Sequence, residues 1–164
     1  MVDMGFGPLG IRIPDEGQCM SLKPKLIIYL GLPGMMSGIR YVSRRTSELT
    51  DDELEQCSRL FSSDYGTYGQ DDPKGRKGQP VRMSASYYRK HYSGENYRVA
   101  LALDEGKVVA QAFYIREIID GSIVTWVLQL VVSRDYRKMG IGSRLLHSIW
   151  GFSDDYAWGL ATAN

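Results

Sequence analysis

Glycines and basic side chains crowd one stretch of the sequence, Leu130-Val131-Val132-Ser133-Arg134-Asp135-Tyr136-Arg137-Lys138-Met139-Gly140-Ile141-Gly142-Ser143. An apolar strand ends at Val132, a tight basic loop follows, and a helix opens near Gly140. Gly140 and Gly142 let the backbone turn sharply and let a ligand approach closely. The first amides of a helix have no partner within it. Together with the helix dipole they form an anion site. Arg134, Arg137, Lys138 and Arg144 add positive charge around it. The ligand group that suits this chemistry is a phosphate or pyrophosphate.

Two well-known phosphate motifs are excluded by spacing. A Walker loop needs G-x-x-x-x-G-K-[ST], which is not present. A dinucleotide fingerprint needs a third glycine where Leu145 stands. What remains is Arg137-x-x-Gly140-x-Gly142 after an apolar strand. Other chemistry has less support. Cys57 falls on an apolar helical stripe and reads as a small core residue. Cys19 and Cys57 are too few for a disulfide framework and lack metal-ligand spacing. His91 has no acidic or thiol neighbour in sequence, so a catalytic dyad is not supported. No metal site is expected.

The elements that must position this loop are legible around it. Ile39, Tyr41 and Val42 suggest a short first strand. Thr50-Asp51-Asp52-Glu53 is a capping box, and Leu54, Cys57, Leu60 and Phe61 recur behind it at helical spacing, with Gly66 as a stop. Residues 66–82 form a polar, Gly-rich loop, long enough to be mobile or functional. Ser84 to Tyr92 predicts a short helix whose Tyr87, Tyr88 and His91 either line a cleft or pack. Three strands follow in a meander. Val99, Leu101 and Leu103 alternate in the first. Val108 to Ile115 make the second, and Ile123 to Val132 the third, with Trp126, Leu128, Leu130 and Val132 on one face. Asp104-Glu105-Gly106 and Asp120-Gly121 are their turns. The helix after Gly140 carries Leu145, Leu146, Ile149 and Trp150, and Tyr156 to Thr162 predicts a last strand. A strand, helix and strand in that order imply parallel pairing. The expected fold is therefore α/β in the broad sense (α+β), with a mixed, mainly antiparallel sheet and one β-α-β crossover.

Composition sets the frame. The chain has 164 residues, 20 basic against 19 acidic, with 43% hydrophobic and 24% charged residues. That is one domain's length and an ordinary globular composition. The near-neutral balance argues against a dedicated nucleic-acid binder. The Leu26 to Leu32 run is far shorter than the roughly 20 residues a membrane span needs. Residues 1–37 are rich in Gly and Pro and read as a loose extension, or as an upstream start on a gene whose working start is Met35 or Met36. A signal peptide starting at Met20, with Lys23 and Lys25 before the apolar run, is disfavoured because no A-x-A site follows.

The pattern Arg137-x-x-Gly140-x-Gly142, preceded by Leu130 and Val132 and followed by Leu145-Leu146, resembles the pyrophosphate-binding motif of the GNAT superfamily of acyl-CoA N-acyltransferases. The element order over 38–164 is similar to that family as well. The resemblance implies acetyl-CoA as co-substrate, with its pyrophosphate on the backbone of Lys138, Met139, Gly140, Ile141, Gly142 and Ser143. Its pantetheine arm would pair with the fourth strand around Leu130, Val131 and Val132. A bulge near Gln129 would open the gap to the fifth strand. A strand amide there would polarise the thioester carbonyl. It implies direct attack by a primary amine of a small molecule or peptide in a ternary complex, in the cytoplasm.

Departures from the family are equally plain. The fourth strand holds no Asp or Glu, so its usual base is absent, and Glu117 and Asp120 are the nearest substitutes. The family's general-acid tyrosine lies on a helix beyond the fifth strand, and the sequence ends at Asn164. The resemblance thus implies a fold cut after its fifth strand, to be completed by a homodimer, a complementing chain or residues beyond Asn164. A CoA-binding or partner-binding fragment without turnover is the alternative, and an unrelated phosphate binder a third.

Overall fold

The computed structural model describes residues 38–150 and 157–160. The extension read at 1–37, with Cys19, lies outside them, as do Tyr156 and 161–164. Five strands run β1 (Ile39–Arg45), β2 (Tyr97–Asp104), β3 (Lys107–Ile119), β4 (Ser122–Val132) and β5 (Ala157–Leu160). Three helices join them: α1 (Asp51–Asp64), α2 (Ala85–His91) and α3 (Ile141–Trp150). The strands lie side by side in chain order, antiparallel from β1 to β4 and parallel between β4 and β5.

The helices cover both faces of the sheet. Leu54, Cys57, Leu60 and Phe61 of α1 and Tyr88 of α2 pack with Val99, Leu101 and Leu103 of β2. Ala100 and Ala102, the alternate residues of β2, pack with Ile141, Leu145 and Ile149 of α3. Burial on both faces explains why β2 reads as a continuous apolar run. Alanines on the α3 side let that helix approach closely.

Local chemistry sets the ends of these elements. The Thr50 hydroxyl accepts from the Glu53 amide at 3.2 Å, and the Glu53 carboxylate accepts from the Thr50 amide at 3.0 Å. The capping box read from sequence is complete. The Ser84 hydroxyl caps α2 by accepting from the Tyr87 amide. Asp120 and Gly121 take φ values of 50° and 78°, the left-handed pair of a tight hairpin.

The 66–82 loop is more organised than its composition suggests. Thr67 and Pro80 form an antiparallel bridge. Arg76 pairs with Asp72 at 2.6 Å, lies 3.7 Å over the Tyr68 ring and donates to its hydroxyl. Ser58 of α1 donates to the Met83 carbonyl at 2.8 Å, tying the end of the loop back to the core.

One expectation is corrected. Trp126, Leu128, Leu130 and Val132 do not share a face. Phe113 pairs with Gln129 but Tyr114 pairs with Val127, so Leu128 is an extra residue in β4. A bulge resets the alternation. Leu130 and Val132 therefore face α3 with Val127, whereas Val131 faces α1 and α2.

Candidate functional site

The bulge at Leu128 directly follows the last described pair between β4 and β5. Pairing between them covers Val124 to Val127 against Ala157 to Leu160. Among the described residues, Gln129 to Val132 have no partner on the β5 side. The bulge expected near Gln129 is present, one residue away.

The same strand leads directly into the candidate anion loop. After Val132 come a single helical turn at Arg134–Tyr136 and then α3. Lys138 and Gly140 take left-handed φ values of 62° and 74° on either side of Met139. Such alternation turns successive N–H groups toward a common point. Ile141, Gly142 and Ser143 form the first turn of α3, whose amides have no acceptor within the helix. The first intrahelical bond is from the Arg144 amide to the Gly140 carbonyl, at 3.0 Å. A Cβ on Gly142 would stand 3.3 Å from Val132 Cγ2 and 3.9 Å from Leu130 Cδ2. Gly142 thus sits where α3 crosses closest over the end of β4.

The arginines are placed differently from the simple expectation of charge around an anion. Arg137 Nε donates to the Val132 carbonyl at 3.1 Å and its Nη2 to the Asp64 carbonyl at 2.5 Å. Arg134 Nη2 donates to the Ser63 carbonyl at 3.0 Å, and its Nε lies 3.3 Å from the Asp64 carboxylate. Helix α1 has no basic residue in its last turn. Arg134 and Arg137 supply that missing charge to its C-terminal carbonyls. Their guanidinium groups shape the loop, and its backbone faces the helix N-terminus. Lys138, Met139, Ser143 and Arg144 are exposed beside it.

Beneath the bulge lies a group that sequence reasoning missed as a set. Gln111 Nε2 donates to the Tyr88 hydroxyl at 3.0 Å, which donates to Gln129 Oε1 at 2.8 Å. All three side chains are buried in the α1 and α2 face of the sheet. Burial holds the Tyr88 hydroxyl far above the ordinary tyrosine range and pushes Tyr92 up to about 12. Neither hydroxyl ionises near neutral pH. Three residues scattered over 41 positions leave no local signal, and only the β-bulge brings Gln129 to face α2.

Other candidates resolve as structure. Cys57 is fully buried, and burial pushes its thiol up to about 12, so it is no nucleophile at neutral pH. Glu117 accepts from Asn96 at the exposed end of the β3–β4 hairpin, and Asp120 sits in its turn. Tyr87 stacks on exposed His91 at 4.3 Å. A cleft of about 560 Å³ between α1 and the β2–β3 turn is lined by Gln56, Arg59, Asp64, Lys107 and Ser133, and by none of the Arg137–Ser143 residues.

A bulged β4 thus runs into a glycine loop that opens α3. The sequence profile described as the Acetyltransferase (GNAT) family matches residues 54–153. The chain belongs to the GNAT acetyltransferase family. Its fold is similar to that of an aminoglycoside acetyltransferase from an uncultured soil metagenomic sample in complex with sisomicin. That likeness has TM-score 0.56 at 15% identity, covering 77% of this chain and 78% of that one. A GNAT family acetyltransferase of Staphylococcus aureus gives TM-score 0.55 at 20% identity, over 77% and 88% of the two chains. An aminoglycoside N-acetyltransferase in complex with CoA gives 0.52 at 13%, over 80% and 81%. A search of curated proteins gives no match. These GNAT neighbours share the mixed sheet and flanking helices found here.

Proposed function

We propose that this GNAT chain transfers an acetyl group from acetyl-CoA to a primary amine by direct attack in a ternary complex. The observation that carries this is the continuity of the site. Gln129–Val132 of β4, beyond the last described β4–β5 pair at Val127 and Leu160, run without interruption into the glycine loop at the start of α3. An extended thioester arm and its pyrophosphate need those two features joined in that order.

The residues fit such a ligand. The backbone of Lys138, Met139, Gly140, Ile141, Gly142 and Ser143 would receive the pyrophosphate, with Lys138 and Arg144 adding exposed charge. Leu130, Val131 and Val132 would pair with the pantetheine arm. Arg137 fixes the loop to β4 and to α1. A strand amide at the bulge would polarise the thioester carbonyl. The neutral amine nitrogen bonds to the carbonyl carbon, the carbon–sulfur bond breaks, and the leaving CoA thiolate takes up the proton that the new amide nitrogen sheds. The amine must lose its proton, and β4 offers no carboxylate to take it. Transfer would then depend on the amine's own pKa, about 10.4 for a lysine-like group and about 8 for an α-amino group.

The structural neighbours support an amine acceptor in kind, since they include an aminoglycoside acetyltransferase with sisomicin and a Brucella ribosomal-protein-alanine N-acetyltransferase. A small-molecule or peptide amine fits this reading, and CoA use fits a cytoplasmic place. Among the described residues no helix is long and apolar enough to cross a membrane. A second reading, a CoA-binding chain without turnover, is favoured by the missing carboxylate on β4. Calorimetric titration with acetyl-CoA, followed by an acetyl-transfer assay over a panel of amines, separates them. Binding with transfer supports the first, binding without transfer the second, and no binding by folded protein overturns both.

A further inference from the structure

Tyr88 grips both members of one pair in the β3–β4 ladder. Its ring stacks on Phe113 with centroids 4.5 Å apart and planes 22° apart. Its hydroxyl donates to Gln129 at 2.8 Å. Phe113 and Gln129 are register partners, and they are the first pair beyond the unpaired Leu128. The clamp therefore sits against the bulge, on the side that leads through Val131 and Val132 to the glycine loop.

Stability alone does not explain the choice of residues. Tyr88, Gln111 and Gln129 are three uncharged polar side chains inside an otherwise apolar cluster of leucines, valines and phenylalanines. Burying polar groups is unfavourable unless all of them are bonded. Here Gln111 Oε1 is buried without a hydrogen-bond partner among the described residues. Gln129 Nε2 also meets the Met83 sulfur at 4.0 Å, a weak acceptor. Leucine or methionine would fill the same space at less cost. What apolar side chains cannot supply is a directional link from α2 to one particular residue of β4. Sliding the bulge by one residue re-aims the side chain at that position, and losing it moves every later side chain to the other face. A directional buried bond selects one register.

We propose that Tyr88 and Gln129 are positioning residues for acyl transfer: by holding the Phe113–Gln129 pair they fix the bulge at Leu128, and with it the strand amide that polarises the thioester carbonyl. This rests on the acyl-CoA reading above. Neither side chain touches the reacting atoms, and Gln111 supports the pair by orienting the Tyr88 hydroxyl.

The test needs no acceptor amine. Acetyl-CoA carrying carbon-13 at the thioester carbonyl is titrated into the full chain, and the carbonyl resonance of the bound form is compared with that of the free form. A polarised carbonyl moves downfield. Tyr88→Phe and the nearly isosteric Gln129→Met are measured beside Leu54→Ala, which loosens the same core cluster away from the bulge. Each variant is first shown to melt cooperatively, and its affinity for desacetyl-CoA is measured. The expected result is a downfield displacement in the wild type and in Leu54→Ala. At least half of it is lost in Tyr88→Phe and Gln129→Met, while desacetyl-CoA affinity is retained. An unchanged displacement in both clamp variants overturns the proposal, as does an equal loss in Leu54→Ala. Absence of CoA binding by folded wild-type protein overturns the acyl-CoA reading itself and this proposal with it.

Discussion

The Tyr88 hydroxyl donates to Gln129 Oε1 at 2.8 Å, linking α2 to β4 across 41 residues of sequence. The bond is buried at both ends, so its loss leaves polar atoms unsatisfied where water has little access. Tyr88→Phe keeps the ring on Phe113 and removes only the hydroxyl. It strands both Gln111 Nε2 and Gln129 Oε1. We expect the variant to be less stable by about 2–4 kcal/mol in a denaturant titration, from two buried groups at about 1–2 kcal/mol each. Gln129→Met takes a hydrogen-bond partner from both the Tyr88 and the Tyr92 hydroxyls and is expected to lose a similar amount.

Alkaline pH tests the same cluster from another direction. Tyr92 is raised from 10.0 to about 12 and Cys57 from 9.0 to about 12, both mainly by burial. In the unfolded chain these groups release protons from about pH 9 to 10 upward, while the folded chain still holds them. The unfolded state then binds fewer protons, so stability falls as pH rises. The loss starts near pH 9 with Cys57, steepens above pH 10, and levels off near pH 12. Tyr92 alone contributes on the order of 3 kcal/mol over its two units. Melting temperatures measured from pH 8 to 12 should decline over this window, and Tyr92→Phe should decline less.

The glycine loop offers the sharpest test of ligand binding. A side chain at Gly142 would leave α3 toward Val132 and Leu130, across the proposed path of the thioester arm. Gly142→Glu adds bulk there and a negative charge beside the anion site. Its charge suits the first turn of a helix, while its Cβ presses on Val132 Cγ2 at 3.3 Å, so a loss of stability on the order of 1 kcal/mol is expected. Acetyl-CoA affinity is expected to drop by at least ~100-fold in protein that still melts cooperatively, equivalent to about two charge-assisted hydrogen bonds. Calorimetry and a thermal melt together check both halves.

Much of this was readable in the sequence, and the reasons are physical. Element order, the capping box at Thr50 and Glu53, the Asp120-Gly121 turn and the parallel return after α3 all follow from local patterns of a few residues. The glycine loop was legible because its residues are contiguous. The bulge at Leu128 has no local signal, since an extra residue in a strand changes no local propensity, and was expected only through the family resemblance. Its consequence, Gln129 turned toward Tyr88, was hidden with it. The arginines misled in a related way. Arg134 and Arg137 are basic residues beside an anion loop, yet their partners are the last carbonyls of α1, some seventy residues earlier.

The 66–82 loop is expected to depend on one residue. Arg76 bridges Asp72 and Tyr68, and Asp72 is held down at about 2 mainly by its hydrogen bond to Arg76. The carboxyl's contribution is present above about pH 4 and is lost as pH falls through about 2, because the folded form then gains the proton the unfolded form already holds. Arg76→Ala should speed hydrogen exchange at amides of 66–82 and leave the core of β2 and β3 protected. Equal exchange in both regions would place the loop's order elsewhere.

The last strand rests on a close fit between Trp126 and Gly159. They are partners in the β4–β5 register, and a Cβ on Gly159 would overlap the Trp126 ring. The indole thus lies over a bare α-carbon, while on the opposite face Trp158 stacks on Trp150 of α3 at 4.5 Å. Gly159→Ala must either swing Trp126 away or lift β5 from β4. Gly to Ala otherwise favours an extended strand, so any loss reports the overlap rather than propensity. We expect destabilisation of about 1–3 kcal/mol, the usual range for overpacking. Trp126→Leu should relieve it, because the shorter side chain gives way. In a double-mutant cycle the two substitutions together should therefore cost less than the sum of each alone.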